Sequence, residues 1–150
     1  RLGTALDLVK KALDSNADGV LDQVEKDQAC VILYGQSLGG RAAVRLARKL
    51  DGMGVPVRLT IQVDSFGLDD DVIPPNVRAA MNYYQTGRLT VRGENEIRAA
   101  DPSRTVILGN QRREYPIWML PAAERKPASS SEAGTRGWSR TRFSGWRFRA

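Results

Sequence analysis

Leu2, Leu6, Val9 and Leu13 recur at i, i+4, i+7 and i+11, while Asp7, Lys10 and Lys11 fall on other faces. That spacing predicts an amphipathic helix with one apolar face. The next apolar run, Val31-Ile32-Leu33-Tyr34, is short and continuous and stops at Gly35, as a strand would. From Ala42 to Leu50 the period becomes helical, with Val44, Leu46, Ala47 and Leu50 apolar, and Gly52 and Gly54 sit where a helix end expects glycine. Val55 to Val63 then alternates: Val57, Leu59, Ile61 and Val63 are separated by Arg58, Thr60 and Gln62, the pattern of a second strand. Strand, helix and strand in this order predict a right-handed βαβ crossover in a parallel sheet.

Beyond it, Pro74-Pro75 breaks the chain and Asn76 reads as the N-cap of a helix to about Thr86. Val77, Ala80, Met81 and Tyr84 would form its buried face, and Gly87 would end it. Arg88 to Ala100 shows little period beyond a weak strand at Leu89-Thr90-Val91. Asp101-Pro102-Ser103 is a turn, and Thr105 to Leu108 reads as a strand closed by Gly109-Asn110. The expected class is α/β: a partial parallel sheet with flanking helices over residues 30–110, preceded by a helix and acidic loop over 1–29.

That acidic loop carries chemistry. Asp14-Ser15-Asn16-Ala17-Asp18-Gly19-Val20-Leu21-Asp22-Gln23-Val24-Glu25 fills every position of D-x-[DN]-x-[DN]-G-x5-E and resembles an EF-hand calcium loop. Asp14, Asn16 and Asp18 would place three oxygens on alternate residues, and Gly19 would allow the sharp turn. Val20 would offer its carbonyl, Asp22 would reach the ion, often through water, and Glu25 would close the site with both carboxylate oxygens. The exit differs from that pattern: Lys26 to Ala29 leave room for only about one helical turn, and no second loop is present to pair with it. The competing reading is an acidic, Asx-rich connector that binds nothing tightly. A run of three carboxylates, Asp69-Asp70-Asp71, is expected to be a solvated turn.

The join between the first strand and its helix is the second chemical feature. Gly35-Gln36-Ser37-Leu38-Gly39 fits Gly-x-Ser-x-Gly, in which the Ser occupies a strained strand-to-helix turn. Side chains at Gly35 and Gly39 are expected to clash there, and the helix N-terminus beside Ser37 can hold an oxyanion. A phosphate loop is the other reading, but Arg41-Ala42 stands where Lys-Ser/Thr is needed.

With the Gly-Gln-Ser-Leu-Gly-Gly elbow, the stretch from about Val31 to Asn110 resembles the α/β-hydrolase family. Val63-Asp64-Ser65, Ile73-Pro74-Pro75-Asn76-Val77 and Asn82-Tyr83-Tyr84-Gln85 are similar to its lipase- and thioesterase-like branch. The resemblance implies a serine hydrolase of small-molecule esters or thioesters, with Ser37 as nucleophile and the N–H of Leu38 as oxyanion donor. Asp64, at the carboxyl end of the second strand, is the candidate acid, although the family also places its acid after a later strand. The family's His would follow the last strand, beyond Asn110, and its second oxyanion N–H would precede Arg1. These 150 residues contain no His, so the chain resembles the nucleophile part of a hydrolase without its general base.

Composition changes the picture only at the end of the chain. Residues 1–110 hold 14 Lys/Arg and 14 Asp/Glu, whereas 111–150 hold 9 and 3, so the tail supplies the whole net charge of +6. The folded part therefore gives no support to a nucleic-acid surface. Trp118, Trp138 and Trp146 and the Arg-rich stretch from Gly134 lack either period, which suits a disordered, cationic tail. Its alternatives are an arm for RNA or acidic membranes, and non-native sequence read out of frame. No leader peptide is visible, and no apolar run reaches the length of a membrane span. The one Cys, Cys30, allows no intrachain disulfide and is expected to be a buried small residue.

Overall fold

The computed structural model describes residues 2–85 and 93–113. Its elements are α1 (Leu2–Leu13), α2 (Gln23–Asp27), β1 (Val31–Gln36), α3 (Leu38–Asp51), β2 (Val57–Val63), β3 (Val72–Ile73), β4 (Ala79–Tyr84), β5 (Arg98–Ala99) and β6 (Val106–Arg112). Four strands form a parallel sheet in the order β1-β2-β4-β6, and β3 and β5 pair in parallel as a separate two-stranded sheet. The α/β class with a parallel sheet and flanking helices is thus present. Among the described residues no helix is long and apolar enough to cross a membrane.

α3 packs on β1 and β2, and α1 packs on α3. The predicted apolar positions of α3 are buried, with Val44, Ala47 and Leu50 fully enclosed. Leu2, Leu6, Val9 and Leu13 lean against the same core and are half-buried, so α1 is a covering element rather than a central one. Val31, Leu33, Val57, Ile73, Val77, Ala80 and Ile97 complete that core. The helix-facing side of the sheet is therefore closed. On the other side Ile32 and Tyr34 of β1 and Val106 and Leu108 of β6 are exposed among the described residues.

Several expectations need correction. The segment expected as a helix from Asn76 is instead β4, hydrogen-bonded between β2 and β6. Val77, Ala80, Met81 and Tyr84 satisfy a helical period, but Ala80 and Asn82 also satisfy a period of two, and both are fully buried. A strand slot between two partners supplies backbone hydrogen bonds on both edges, which local propensity does not outweigh. Asn76 is not a cap: its amide donates to the carbonyls of Ala47 (3.0 Å) and Val55 (2.9 Å). β6 continues through Gly109 and Asn110 to Arg112, past the boundary expected at 110. Cys30 is exposed, because it lies before the strand enters the sheet. The weak strand at Leu89–Val91 lies outside the described residues, as do all expectations for residues 114–150.

β2 departs from its sequence pattern in which side chains it buries. The register with β1 shifts between Val31 and Ile32, whose partners are Val57 and Leu59. After that bulge the phase of β2 reverses. Thr60 and Gln62 face the helix side and are fully buried, while Leu59, Ile61 and Val63 are only half-buried.

Candidate functional site

One residue separates β1 from α3, and it is Ser37. Its backbone stands at φ 54°, ψ −127°, outside the regions favoured by side-chain-bearing residues. Such a conformation costs on the order of 1–3 kcal/mol and persists only where the surroundings enforce it. Here three bonds enforce it: Ser37 N–H donates to the Val63 carbonyl (2.9 Å), and its own carbonyl accepts from Gly40 N–H (2.9 Å) and Phe66 N–H (3.3 Å). The side chain is half-buried and makes no capping bond to α3. The Leu38 N–H that follows opens the first turn of a 14-residue helix, where N–H groups have no helical acceptor.

The glycines around this turn divide differently from expectation. A Cβ on Gly35 would run into the carbonyl of Gly39 and stand 2.5 Å from Gly40 N, so Gly35 is required by close approach. Gly39 has open space around it. The second crowded position is Gly40, where a Cβ would lie 2.5 Å from Ser65 Oγ and 2.7 Å from Ser65 Cβ. The fully buried Ser65 in turn donates its hydroxyl to Asp70 Oδ2, and Asp70 is itself buried. Asp70 is therefore not part of a solvated turn, although Asp69 beside it is exposed and Asp71 meets Arg98 at 3.4 Å. The loop after β2 backs the elbow.

Asp64 occupies on β2 the place that Ser37 occupies on β1. Gln36 and Val63 are register partners, so the two residues follow the carboxyl ends of neighbouring strands. Asp64 has φ 46° and is 5% exposed. Its N–H donates to the Tyr83 carbonyl at 2.8 Å. Both carboxylate oxygens are held by Gln85, Oδ1 by the backbone N–H at 2.8 Å and Oδ2 by the side-chain amide at 3.2 Å. Gly93 closes over it: a Cβ there would come within 2.8 Å of Asp64 Cα. Gln85 stands in the Asn82-Tyr83-Tyr84-Gln85 segment, but its bond to Asp64 had no signal in the sequence, because it arises only through the pairing of β2 with β4. Gly40 had one, as the second glycine of the pair Gly39-Gly40. Two clefts open elsewhere, one at the amino ends of the strands beside Asp51, Pro56 and Arg104, the other beside α1 and Leu21.

No family model, curated protein or solved structure matches this chain.

The acidic loop turns at Gly19, at φ 84°, and its side chains fold inward onto backbone N–H groups. Asp14 accepts from Asp18 N–H (3.1 Å) and Gly19 N–H (2.8 Å), Asn16 Oδ1 from Asp18 N–H (2.9 Å), and Asp18 Oδ1 from Val20 N–H (2.8 Å). Asp22 and Glu25 form a reciprocal capping box that starts α2, the short exit helix. Glu25 is 5% exposed, and its Oε1 crosses the loop to Ser15 N–H (2.7 Å), Ser15 Oγ (3.0 Å) and Asn16 N–H (3.4 Å). Burial pushes the Glu25 carboxyl up, but bonds from the N–H groups of Asp22, Ser15 and Asn16 and from the Ser15 hydroxyl outweigh it and hold the group below its ordinary value. The donor set is all oxygen, which suits a hard cation. Among the described residues no three His, Cys, Asp or Glu side chains form a metal-holding group.

Proposed function

We propose that this chain carries the nucleophile part of a serine hydrolase acting on small-molecule esters or thioesters. The observation that carries the reading is the Ser37 backbone, held at φ 54°, ψ −127° in a one-residue join between a parallel strand and the N-terminus of α3. That placement supports Ser37 as nucleophile and the Leu38 N–H as oxyanion donor. Asp64, one strand over and buried, is the acid that would orient a His, with Gln85 fixing its carboxylate. The base that accepts the Ser37 proton is not among these residues, because none of the 150 is His. The expected behaviour is therefore little or no ester turnover and weak labelling by a fluorophosphonate probe. Strong labelling that disappears in Ser37→Ala would reveal another base and overturn the expectation of inactivity. Adding imidazole supplies a base in solution, and a Ser37-dependent rise in ester hydrolysis on its addition would support the elbow as the reactive site.

A second reading is favoured by the loop before β1: binding of Ca²⁺ by Asp14, Asn16, Asp18, Asp22 and Glu25 with the Val20 carbonyl. Its support is the turn at Gly19 together with a nearly enclosed Glu25 that closes the loop onto its own start. Bound Ca²⁺ would stabilise the fold by mass action, so the melting temperature should rise with millimolar Ca²⁺ and the rise should vanish in Glu25→Gln. An unchanged melting temperature would remove the reading.

A further inference from the structure

Four residues make a square on the helix-facing side of the sheet. Thr60 and Gln62 are successive inward positions of β2, Ala80 and Asn82 those of β4, and the register pairs Thr60 with Ala80 and Gln62 with Asn82. All four are fully buried. Three of them carry a buried oxygen with no hydrogen-bond partner: Thr60 Oγ1, Gln62 Oε1 and Asn82 Oδ1. Such groups are uncommon in native interiors, because each loses its hydration without replacement.

The amide nitrogens fix which way the oxygens face. Asn82 Nδ2 donates to Asn110 Oδ1 on β6 (3.2 Å) and to the Glu94 carbonyl (2.8 Å), which leaves its oxygen as the free end of that amide. Gln62 Nε2 donates to the Asp70 carbonyl (3.0 Å), which leaves its oxygen as the free end of the amide. Exchanging N and O in either amide would set carbonyl against carbonyl. The fourth corner, Ala80, carries only a methyl group and belongs to the apolar core. Two acceptors and one hydroxyl, which can donate, around a small apolar corner match the bonding capacity of one water molecule.

We propose that an internal water molecule sits over Ala80, donating its two protons to Gln62 Oε1 and Asn82 Oδ1 and accepting from the Thr60 hydroxyl. It joins two side chains that already hold the backbone at Asp70, in the loop behind the elbow, and at Glu94. It thereby ties the loop after β2 to the segment before β5. The ligand is a donor at two points, which a monovalent cation would imitate by its charge.

A crystal structure of the chain at a resolution that shows ordered solvent tests this directly. The expected result is a density peak about 2.7–3.2 Å from all three oxygens. Crystals soaked in rubidium chloride separate the two ligands: an anomalous peak at the square assigns a cation and overturns the water, and its absence at an occupied site supports the water. Thr60→Val offers a measurement in solution. It removes a hydroxyl at nearly constant shape. If that hydroxyl bonds to water, the melting temperature falls; if it is an orphan, losing it raises the melting temperature. An empty square in the density, or a higher melting temperature for Thr60→Val, overturns the proposal.

Discussion

Ser37 is held in place by its neighbours' lack of side chains as much as by its own bonds. Gly40 permits Ser65 to lie against the first turn of α3, and Ser65 is anchored to Asp70. Gly40→Ala should therefore destabilise the fold by about 1–3 kcal/mol, the usual cost of overpacking. Gly39→Ala, in open space inside a helix, should be neutral or stabilise by up to about 1 kcal/mol. Urea denaturation of the pair checks the contrast, and equal effects would show that the crowding at Gly40 relaxes. At this scale the sequence was a fair guide to the strand-to-helix turn at Ser37, whose motif is local. It misled on Gly39, Cys30 and Asp70, since burial of a single residue depends on what packs over it. Asp70 looks solvated by composition, yet it is enclosed because Ser65 and Gln62 reach the loop that carries it.

Among the elements, α1, β1, α3 and β2 were legible, and the segment from Asn76 was not. A short apolar run with both periods is decided by its partners, and here β2 and β6 offer two free edges to β4. Asn76 then serves as a clamp from the start of that segment to the end of α3 and the approach to β2. Asn76→Ala should cost about 1–3 kcal/mol, because it removes two hydrogen bonds, to the carbonyls of Ala47 and Val55. A loss below about 0.5 kcal/mol in thermal melts would mean that solvent replaces both bonds. The reversal of β2 is of the same kind. Its alternation is plain in the sequence, but a single bulge beside Val57 swaps the faces and buries Thr60 and Gln62.

At the scale of the whole molecule, the parallel sheet gathers carboxylates at its carboxyl end. Burial, with the negative charges of Asp70 and Asp71, pushes Glu94 above its ordinary value of 4.5. The folded chain thus keeps a proton on Glu94 at a pH where the unfolded chain has released it. Stability from this group is greatest below about pH 4.5 and declines as the pH rises through the raised folded value. Glu94→Gln should raise the melting temperature at pH 7 relative to the parent and lose that advantage near pH 4. Solvent screening keeps the gain below about 1 kcal/mol. An advantage independent of pH would point to packing instead. The charge balance belongs to this scale too: residues 1–110 are neutral, and the excess of +6 lies wholly in residues 111–150.

What the sequence determined by itself was whatever rests on neighbouring residues: the face of α1, the turn at Gly19, the elbow that sets Ser37 between strand and helix, and the absence of a histidine to serve it. Periodicity and turn chemistry act over a few residues, so a linear pattern records them. The tertiary structure alone decided that the stretch after Asn76 is a strand, that Gln85 grips Asp64, and that Thr60, Gln62 and Asn82 meet on one buried face. Those outcomes follow from which strands pair and in what register. One bulge or one shared edge sets them, and neither leaves a mark in the order of hydrophobic and polar residues.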